Sequence, residues 1–445
     1  MAGNRKIVSV EKMINGGYAL ARQSDGKVLL VEGAYPGEEV VIRITRDKRD
    51  FAFAKAIQVL KPSPHRRRPP CKYFGVCGGC QWLDLSYDEQ LRLKEEVLRD
   101  VFERADIKVD VEKIEASESE FGYRTKVEFT VSQDEDGVFL GFKKRYSHQI
   151  VRVRECKLLP EKGVKILKIL PRLIEALEID VYDFRIRRGV LKHIVIRHAF
   201  STDQTMVIFV TKTESFSQGR VLSRKLLSRF GWITSVIHVM NSKDSVVLRG
   251  PYRTLYGEGV ITEEYDWETY QIPPTAFFQS NYYVSRRLLD HVFKLLDLKG
   301  NERVLDLYSG VGFFSIRVSS AAKRVVGVES NRVSFKAAQA NANVNFRKNV
   351  VFVNEDVSRY LNSIDEKFDA AIIDPPRGGV EKEALKGLIK IFPRKIVYVS
   401  CQPATLVRDV RRLVDAGYRV VSVKPFDMFP QTFHVETVAL LERKD

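Results

Sequence analysis

From about Thr275 onward the sequence alternates short β-branched runs with stretches of helical spacing, the pattern of a parallel sheet with helices on both faces. The runs include Val304-Leu305-Asp306-Leu307, Arg324-Val325-Val326-Gly327-Val328, Val350-Val351-Phe352-Val353, Ala370-Ala371-Ile372-Ile373 and Ile396-Val397-Tyr398-Val399. An open sheet of this kind presents its reactive and ligand-binding groups at the carboxyl ends of its strands. Glu329, Asp356, Asp374 and Cys401 all stand just past such runs.

The first run is followed by Ser309-Gly310-Val311-Gly312, a glycine-bearing turn leading into a helix from about Phe314. A third glycine is missing at Ser315, so the dinucleotide fingerprint is incomplete and nicotinamide or flavin is the weaker reading. Glu329 lies at the distance where an acid accepts both ribose hydroxyls of an adenosine group. Each acid has a competing role as the cap of the helix after it, and that role suits Asp356 better than Glu329 or Asp374. Cys401 is the candidate nucleophile; its competing role is that of a buried structural thiol.

At 445 residues the chain is too long for one ordinary core. Residues 1–62 alternate apolar and polar positions, with turns at Gly16-Gly17 and Pro36-Gly37, which spells a small OB-like β-barrel. Lys61 to Pro70 has the proline content and charge of a stiff linker. Residues 63–272 combine a helical stretch from Tyr87 to about Ala105 with strand-like runs near 125–131, 193–197 and 205–210, so a central α+β unit is expected. Residues 273–445 form the doubly wound α/β unit, and the chain as a whole is multidomain.

A net charge of +16 and a pI near 9.5 point to a polyanionic partner, RNA or DNA ahead of an acidic membrane. In the barrel, Arg43, Arg46, Lys48, Arg49 and Lys55 interleave with Phe51 and Phe53, giving charge plus stacking surface; a solvated strand edge that blocks aggregation is the competing reading. Every long apolar stretch is broken by Lys, Arg or Glu, and Met1 to Lys6 has no signal-peptide core. A cytoplasmic monomer with no membrane partner is the expectation.

Five cysteines is an odd count. Cys71, Cys77 and Cys80 crowd a glycine-rich stretch, a pattern suited to a metal in a reducing compartment, and Cys156 supplies a fourth thiolate. Zinc and an iron–sulfur cluster both accept four thiolates, and the spacing does not choose between them. Four protein ligands leave no open iron for radical chemistry.

Gln271 to Asn281, the Asp306 to Gly312 turn, Asp374-Pro375-Pro376-Arg377-Gly378-Gly379, Ser400-Cys401-Gln402-Pro403-Ala404-Thr405 and His434-Val435-Glu436-Thr437 together resemble the RNA uracil-C5 methyltransferase family. The resemblance spans nearly the whole chain: the barrel is similar to the family's TRAM domain, and the four cysteines match the ligands of its [4Fe-4S] cluster. It implies a Rossmann-like class I methyltransferase unit, S-adenosylmethionine as cofactor, and iron–sulfur ahead of zinc. It also implies cofactor contacts from Gln279, Tyr308 and Glu329, with Asp374 between cofactor and base. Cys401 would add to C6 of uracil so that C5 attacks the methyl group, and Glu436 would remove the C5 hydrogen. The implied substrate is RNA, 23S rRNA ahead of tRNA, with the target nucleotide unpaired or flipped out.

The turn departs from the family's Gly-x-Gly-Asn-Phe, because Gly312 is followed by Phe313, and one amide contact to the cofactor is lost or supplied elsewhere. Asp374-Pro375-Pro376 also resembles a motif of exocyclic-amine methyltransferases, which need no cysteine adduct. A non-catalytic RNA-binding protein with a vestigial methyltransferase domain is the rival of another class. Arg377 and the Lys143-Lys144-Arg145-Tyr146 run read as phosphate contacts or solvated faces, and His434 as a packing neighbour.

Overall fold

The computed structural model describes residues 5–243 and 246–444. Strands β1 (Arg5–Ile14), β2 (Tyr18–Arg22), β3 (Val28–Glu32), β4 (Glu39–Asp47) and β5 (Phe51–Lys61) close into a barrel in the order β1-β2-β3-β5-β4. Alternation turns Val8, Val10, Leu29, Val31, Val40 and Ile42 inward. The proline-rich segment after β5 does not hold the barrel away from the rest. Arg66 lies over the Tyr35 ring and pairs with the buried Glu38 and with Asp84, so the charge is spent on anchoring.

Helix α1 (Tyr87–Arg104) follows. The central sheet comprises β6 (Lys126–Asp134), β7 (Gly137–Lys143), β8 (Ile150–Arg152), β9 (Leu191–His198), β10 (Thr205–Thr211), β11 (Ile233–Met240) and β12 (Tyr252–Gly257), in the order β12-β11-β10-β9-β6-β7-β8. Helices α2 (Glu161–Ala176) and α3 (Gly219–Arg229) cover one face. Every residue of β9 and β10 is buried, because Val195, Met206 and Ile208 on the other face share a core with the C-terminal unit. Burial on both faces gives β10 the continuous apolar run Met206 to Val210, whereas β9 also buries Lys192, His193, Arg197 and His198.

A hairpin of β13 (Ile261–Tyr265) and β14 (Glu268–Ile272) and helix α4 (Tyr282–Leu296) lead into the last sheet. Its strands are β15 (Arg303–Leu307), β16 (Arg324–Val328), β17 (Val350–Val353), β18 (Ala370–Ile373), β19 (Lys395–Ser400), β20 (Tyr418–Phe426) and β21 (Glu436–Arg443). Helices α5 (Phe313–Val318), α6 (Arg332–Val344), α7 (Val357–Ser363), α8 (Lys382–Ile391) and α9 (Pro403–Asp415) alternate with them. The order is β17-β16-β15-β18-β19-β21-β20. β15 to β19 run parallel, whereas β21 inserts antiparallel between β19 and β20, so the sheet is mixed rather than wholly parallel. The connection from β20 returns on the same edge with no crossover helix, which lets only an antiparallel strand fill the gap. Among the described residues no helix is long and apolar enough to cross a membrane.

Candidate active site

The turn after β15 holds Tyr308, Gly310 and Gly312 at φ values of 64°, 57° and 86°, and α5 begins at Phe313. A Cβ at Gly312 would stand 2.9 Å from the Phe352 ring, whereas one at Gly310 would meet nothing within 4 Å. Gly312 therefore lets α5 pack on the sheet, and Gly310 leaves open space beside the turn. Gly310 N–H donates to Glu329 Oε2 at 2.9 Å and Asn331 N–H donates to Oε1 at 2.5 Å, which fixes the Glu329 carboxylate at the tip of β16. Burial raises its proton affinity above that of an ordinary carboxyl. Behind it, Asp306 is fully buried and its proton affinity is pushed up to about 7, mainly by desolvation. The Ser315 hydroxyl donates to Asp306 Oδ2 at 2.5 Å, while Oδ1 has no partner.

Asp356 accepts the Ser358 and Arg359 N–H groups at 3.0 and 3.2 Å, so helix capping accounts for it. Glu329 caps nothing, since Asn331 caps α6. Phe313 is buried among the rings of Tyr265, Tyr270 and Phe278, so the residue that replaces the family's polar side chain belongs to the core. Gln279 is buried between β14 and α4, its carbonyl accepting the Thr125 hydroxyl at 2.6 Å. Tyr308, half-buried, lines a hollow of about 380 Å³ with Pro376, Gly379 and Glu381.

Strand direction builds the other half of the site. β18 delivers Asp374 and β19 delivers Cys401 at their carboxyl ends, whereas the antiparallel β21 begins there. Ser400 pairs with Thr437, so Cys401 and Glu436 follow as neighbours across the ladder. The Cys401 thiol is pushed up to about 11, first by burial and then by Glu436, with Arg377 pulling the other way and Asp374 adding to the rise. Glu436 is buried and its carboxyl lies well above the ordinary range, from desolvation and from Asp374, again opposed by Arg377. Asp374 is pushed up to about 7 by desolvation and by Asp306. Neighbouring buried carboxyls of this kind cannot all ionise together, so the site holds a proton in reserve next to a thiol. His434 is held neutral, pushed down to about 4 by burial and by Arg377, and its ring packs 4.3 Å from that of Phe433. Arg377 is the group whose role the sequence does not disclose: although exposed, it lies close enough to Cys401 and Glu436 for its charge to lower the proton affinity of both.

Away from this site, Cys71, Cys77, Cys80 and Cys156 line one cavity of about 80 Å³ together with Arg124, whose Nε has no partner. Burial lifts the Cys80 and Cys156 thiols to about 12 and 11, and Gly79 N–H donates to Cys77 Sγ at 3.4 Å. Among the described residues no group of three or more His, Cys, Asp or Glu side chains closes tightly enough to hold a single metal ion. Four thiols lining one cavity are a donor set that zinc and an iron–sulfur cluster both accept.

Between the barrel and the cysteine loop runs a groove of about 620 Å³ lined by Tyr18, Phe53, Arg46, Lys55, Lys144 and Tyr146. The Tyr18 and Tyr146 hydroxyls lie 2.7 Å apart, and Tyr146 is exposed with a left-handed φ of 56°. The Lys143–Tyr146 run thus ends on a ring-bearing wall, though Arg145 is spent on Glu32.

A mixed seven-stranded sheet with a glycine turn, an acid after the second strand and a thiol–carboxylate pair at its carboxyl edge defines a class I methyltransferase. The tRNA (Uracil-5-)-methyltransferase family matches residues 261–444 and the TRAM domain matches residues 1–57. An RNA methyltransferase of Thermotoga maritima is 57% identical over 98% of this chain and 99% of its own length, and one of Clostridium tetani is 37% identical over 93% and 91%. The crystal structure of the Pyrococcus abyssi tRNA (uracil-54, C5)-methyltransferase in complex with S-adenosyl-L-homocysteine is 29% identical, with a TM-score of 0.78 over 98% of this chain and 100% of that one. The chain belongs to the TRAM-containing RNA (uracil-5-)-methyltransferase family.

Proposed function

We propose that the protein methylates C5 of uracil in RNA with S-adenosylmethionine as donor, through a temporary bond between Cys401 and C6. The observation that carries this reading is the placement of Cys401 close to Glu436 where the β19–β21 ladder ends at Ser400 and Thr437, with Asp374 and Arg377 near them. Glu329, Gln279, Tyr308 and Asp374 would hold the cofactor, and the open space beside Gly310 and the unpartnered Asp306 Oδ1 fit a polar ligand at the turn. When bound, the cofactor supplies an electrophilic methyl group. Cys401 first loses its proton, with a carboxylate as acceptor and Arg377 favouring the thiolate. The sulfur would then add to C6 and push density onto C5, so that C5 could bond the methyl carbon as the methyl's bond to the sulfonium sulfur breaks, with S-adenosylhomocysteine as the leaving group. Glu436 removes the C5 proton, the C5=C6 bond re-forms, and the thiolate leaves. Desolvation gives Glu436 the raised proton affinity this step uses.

The basic, aromatic groove between barrel and central unit would hold the strand flanking the target, by charge and stacking. Cys71, Cys77, Cys80 and Cys156 would hold a [4Fe-4S] cluster, with zinc as the alternative. Iron and sulfide at about four each per chain after anaerobic purification, with a brown colour, is the expected result; zinc alone overturns it. For the RNA, 23S rRNA and tRNA are the two readings, and the likeness to the tRNA (uracil-54, C5) enzyme supports tRNA. Mapping 5-methyluridine in total RNA with and without the gene decides between them. The chemistry is tested with 5-fluorouracil RNA: the wild type should form a denaturation-resistant complex and Cys401→Ala none. A Cys401→Ala protein that still methylates RNA overturns the adduct.

A further inference from the structure

The segment that carries the chain from β20 to Glu436 contains one fully buried residue whose hydrogen bonds reach four separate parts of the protein. Gln431 N–H donates to Gln90 Oε1 of α1 at 2.9 Å. Its carbonyl accepts the N–H groups of Gln81 and Trp82, directly after Cys80, at 3.0 and 3.1 Å. Its side-chain oxygen accepts from Arg67 at 2.9 Å and from Gln90 at 3.0 Å, and its side-chain nitrogen donates to Glu120 at 3.0 Å. It does this with φ at 70°, a backbone conformation a non-glycine residue keeps only when its surroundings over-determine it. The segment's other end is held too, since Lys94 donates to Asp427 at 2.5 Å and to the Phe429 carbonyl at 3.2 Å. No group of Gln431 touches the thiol or the carboxylates, yet Glu436 is only five residues further on.

We propose that Gln431 is a positioning residue for the second half of the reaction: it fixes the approach of residues 432–435 to β21, and so the placement of the Glu436 carboxylate against C5. The inference rests on the uracil-C5 reading above. In the step concerned, the C5–H bond breaks, the proton passes to Glu436, its electron pair forms C5=C6, and the C6–S bond breaks to return the Cys401 thiolate. Sulfur addition and methyl transfer use β19 and the cofactor turn, which Gln431 does not hold. Loss of Gln431 should therefore slow release far more than it slows adduct formation, since a displacement of about 1 Å in a reacting group costs on the order of a hundredfold.

The experiment compares wild type, Gln431→Met, which keeps the volume and removes the side-chain bonds, and Arg67→Ala, which removes one donor from a partly exposed position. Single-turnover reactions use the RNA substrate and methyl-labelled S-adenosylmethionine, following label in the denaturation-resistant protein–RNA complex and in free RNA. For Gln431→Met we expect adduct formation within about threefold of wild type and release slowed tenfold or more, so that the labelled complex accumulates; Arg67→Ala shifts the same ratio in the same direction by less. Formation and release falling in step, or an unchanged ratio in both variants, overturns the inference while leaving the chemistry standing. If Gln431→Met fails to fold by circular dichroism, the ratio in Arg67→Ala decides, and no shift there overturns it. A wild type that methylates without any labelled complex overturns the uracil-C5 adduct reading and this inference with it.

Discussion

Cys401 rests as a protonated thiol, because burial and the neighbouring carboxyls outweigh Arg377. Its alkylation by iodoacetamide, followed by mass spectrometry on the Cys401 peptide, should rise with pH towards a midpoint near 11. Arg377→Ala removes the group that favours the thiolate and should move the midpoint up; Glu436→Gln removes an opposing carboxylate and should move it down. Shifts of opposite sign would show that the thiol answers to other charges. Glu436→Gln should also lower turnover by about 10²–10⁴-fold, measured as 5-methyluridine formed per enzyme, while leaving adduct formation in place. Cys401, Asp374 and Glu329 could be read from sequence because each sits just past an apolar run, and the structure finds them at the sheet's carboxyl edge. Arg377 could not, since nothing in a sequence says whether a cation in a glycine-rich loop lies near a thiol.

At the scale of the element, the docking of α1 on the β20–β21 connection depends on Lys94 and Asp427, both fully buried. Lys94→Met leaves Asp427 without its cation and should cost about 3–5 kcal/mol in urea denaturation, whereas Lys94→Met/Asp427→Leu should recover most of it. A single variant as stable as wild type would show that water reaches Asp427. Gly312→Ala should lose about 1–2 kcal/mol from the left-handed backbone alone, with a further loss from the Phe352 contact. Helix α1 was legible from its spacing, and the glycine turn from its composition. The insertion of β21 between β19 and β20 was not, because alternation marks a strand without naming its neighbours or its direction, and that insertion is what brings Glu436 to Cys401.

For the molecule as a whole, the proposed seating of RNA in the groove between barrel and cysteine loop predicts an affinity that falls with salt. If Arg46 and Lys144 each meet a phosphate, Arg46→Ala/Lys144→Ala should reduce the slope of log K against log salt by roughly 1.4, at about 0.7 per contact for a single strand. An unchanged slope in filter binding would place the strand elsewhere. The barrel, the α+β centre and the α/β unit were visible in composition and periodicity. Their fusion was not: the strand-like runs near 193–197 and 205–210 mark strands without revealing that the C-terminal unit covers one of their faces. The chain between barrel and centre likewise looked like a spacer, although its Arg66 is a rivet.

Among the named strands β20 pairs with β21, and its other border is hydrogen-bonded to the segment around Glu112 and Glu115, so a fluctuation that frees β21 separates the Glu436 carboxylate from the inner strands. The thiol and the glycine turn sit on inner strands and would survive it. On the proposed adduct mechanism, an overheated copy of this protein would then still seize its RNA but never let go, and a catalyst injured at one border of its sheet would become a snare that removes one transcript for every damaged molecule.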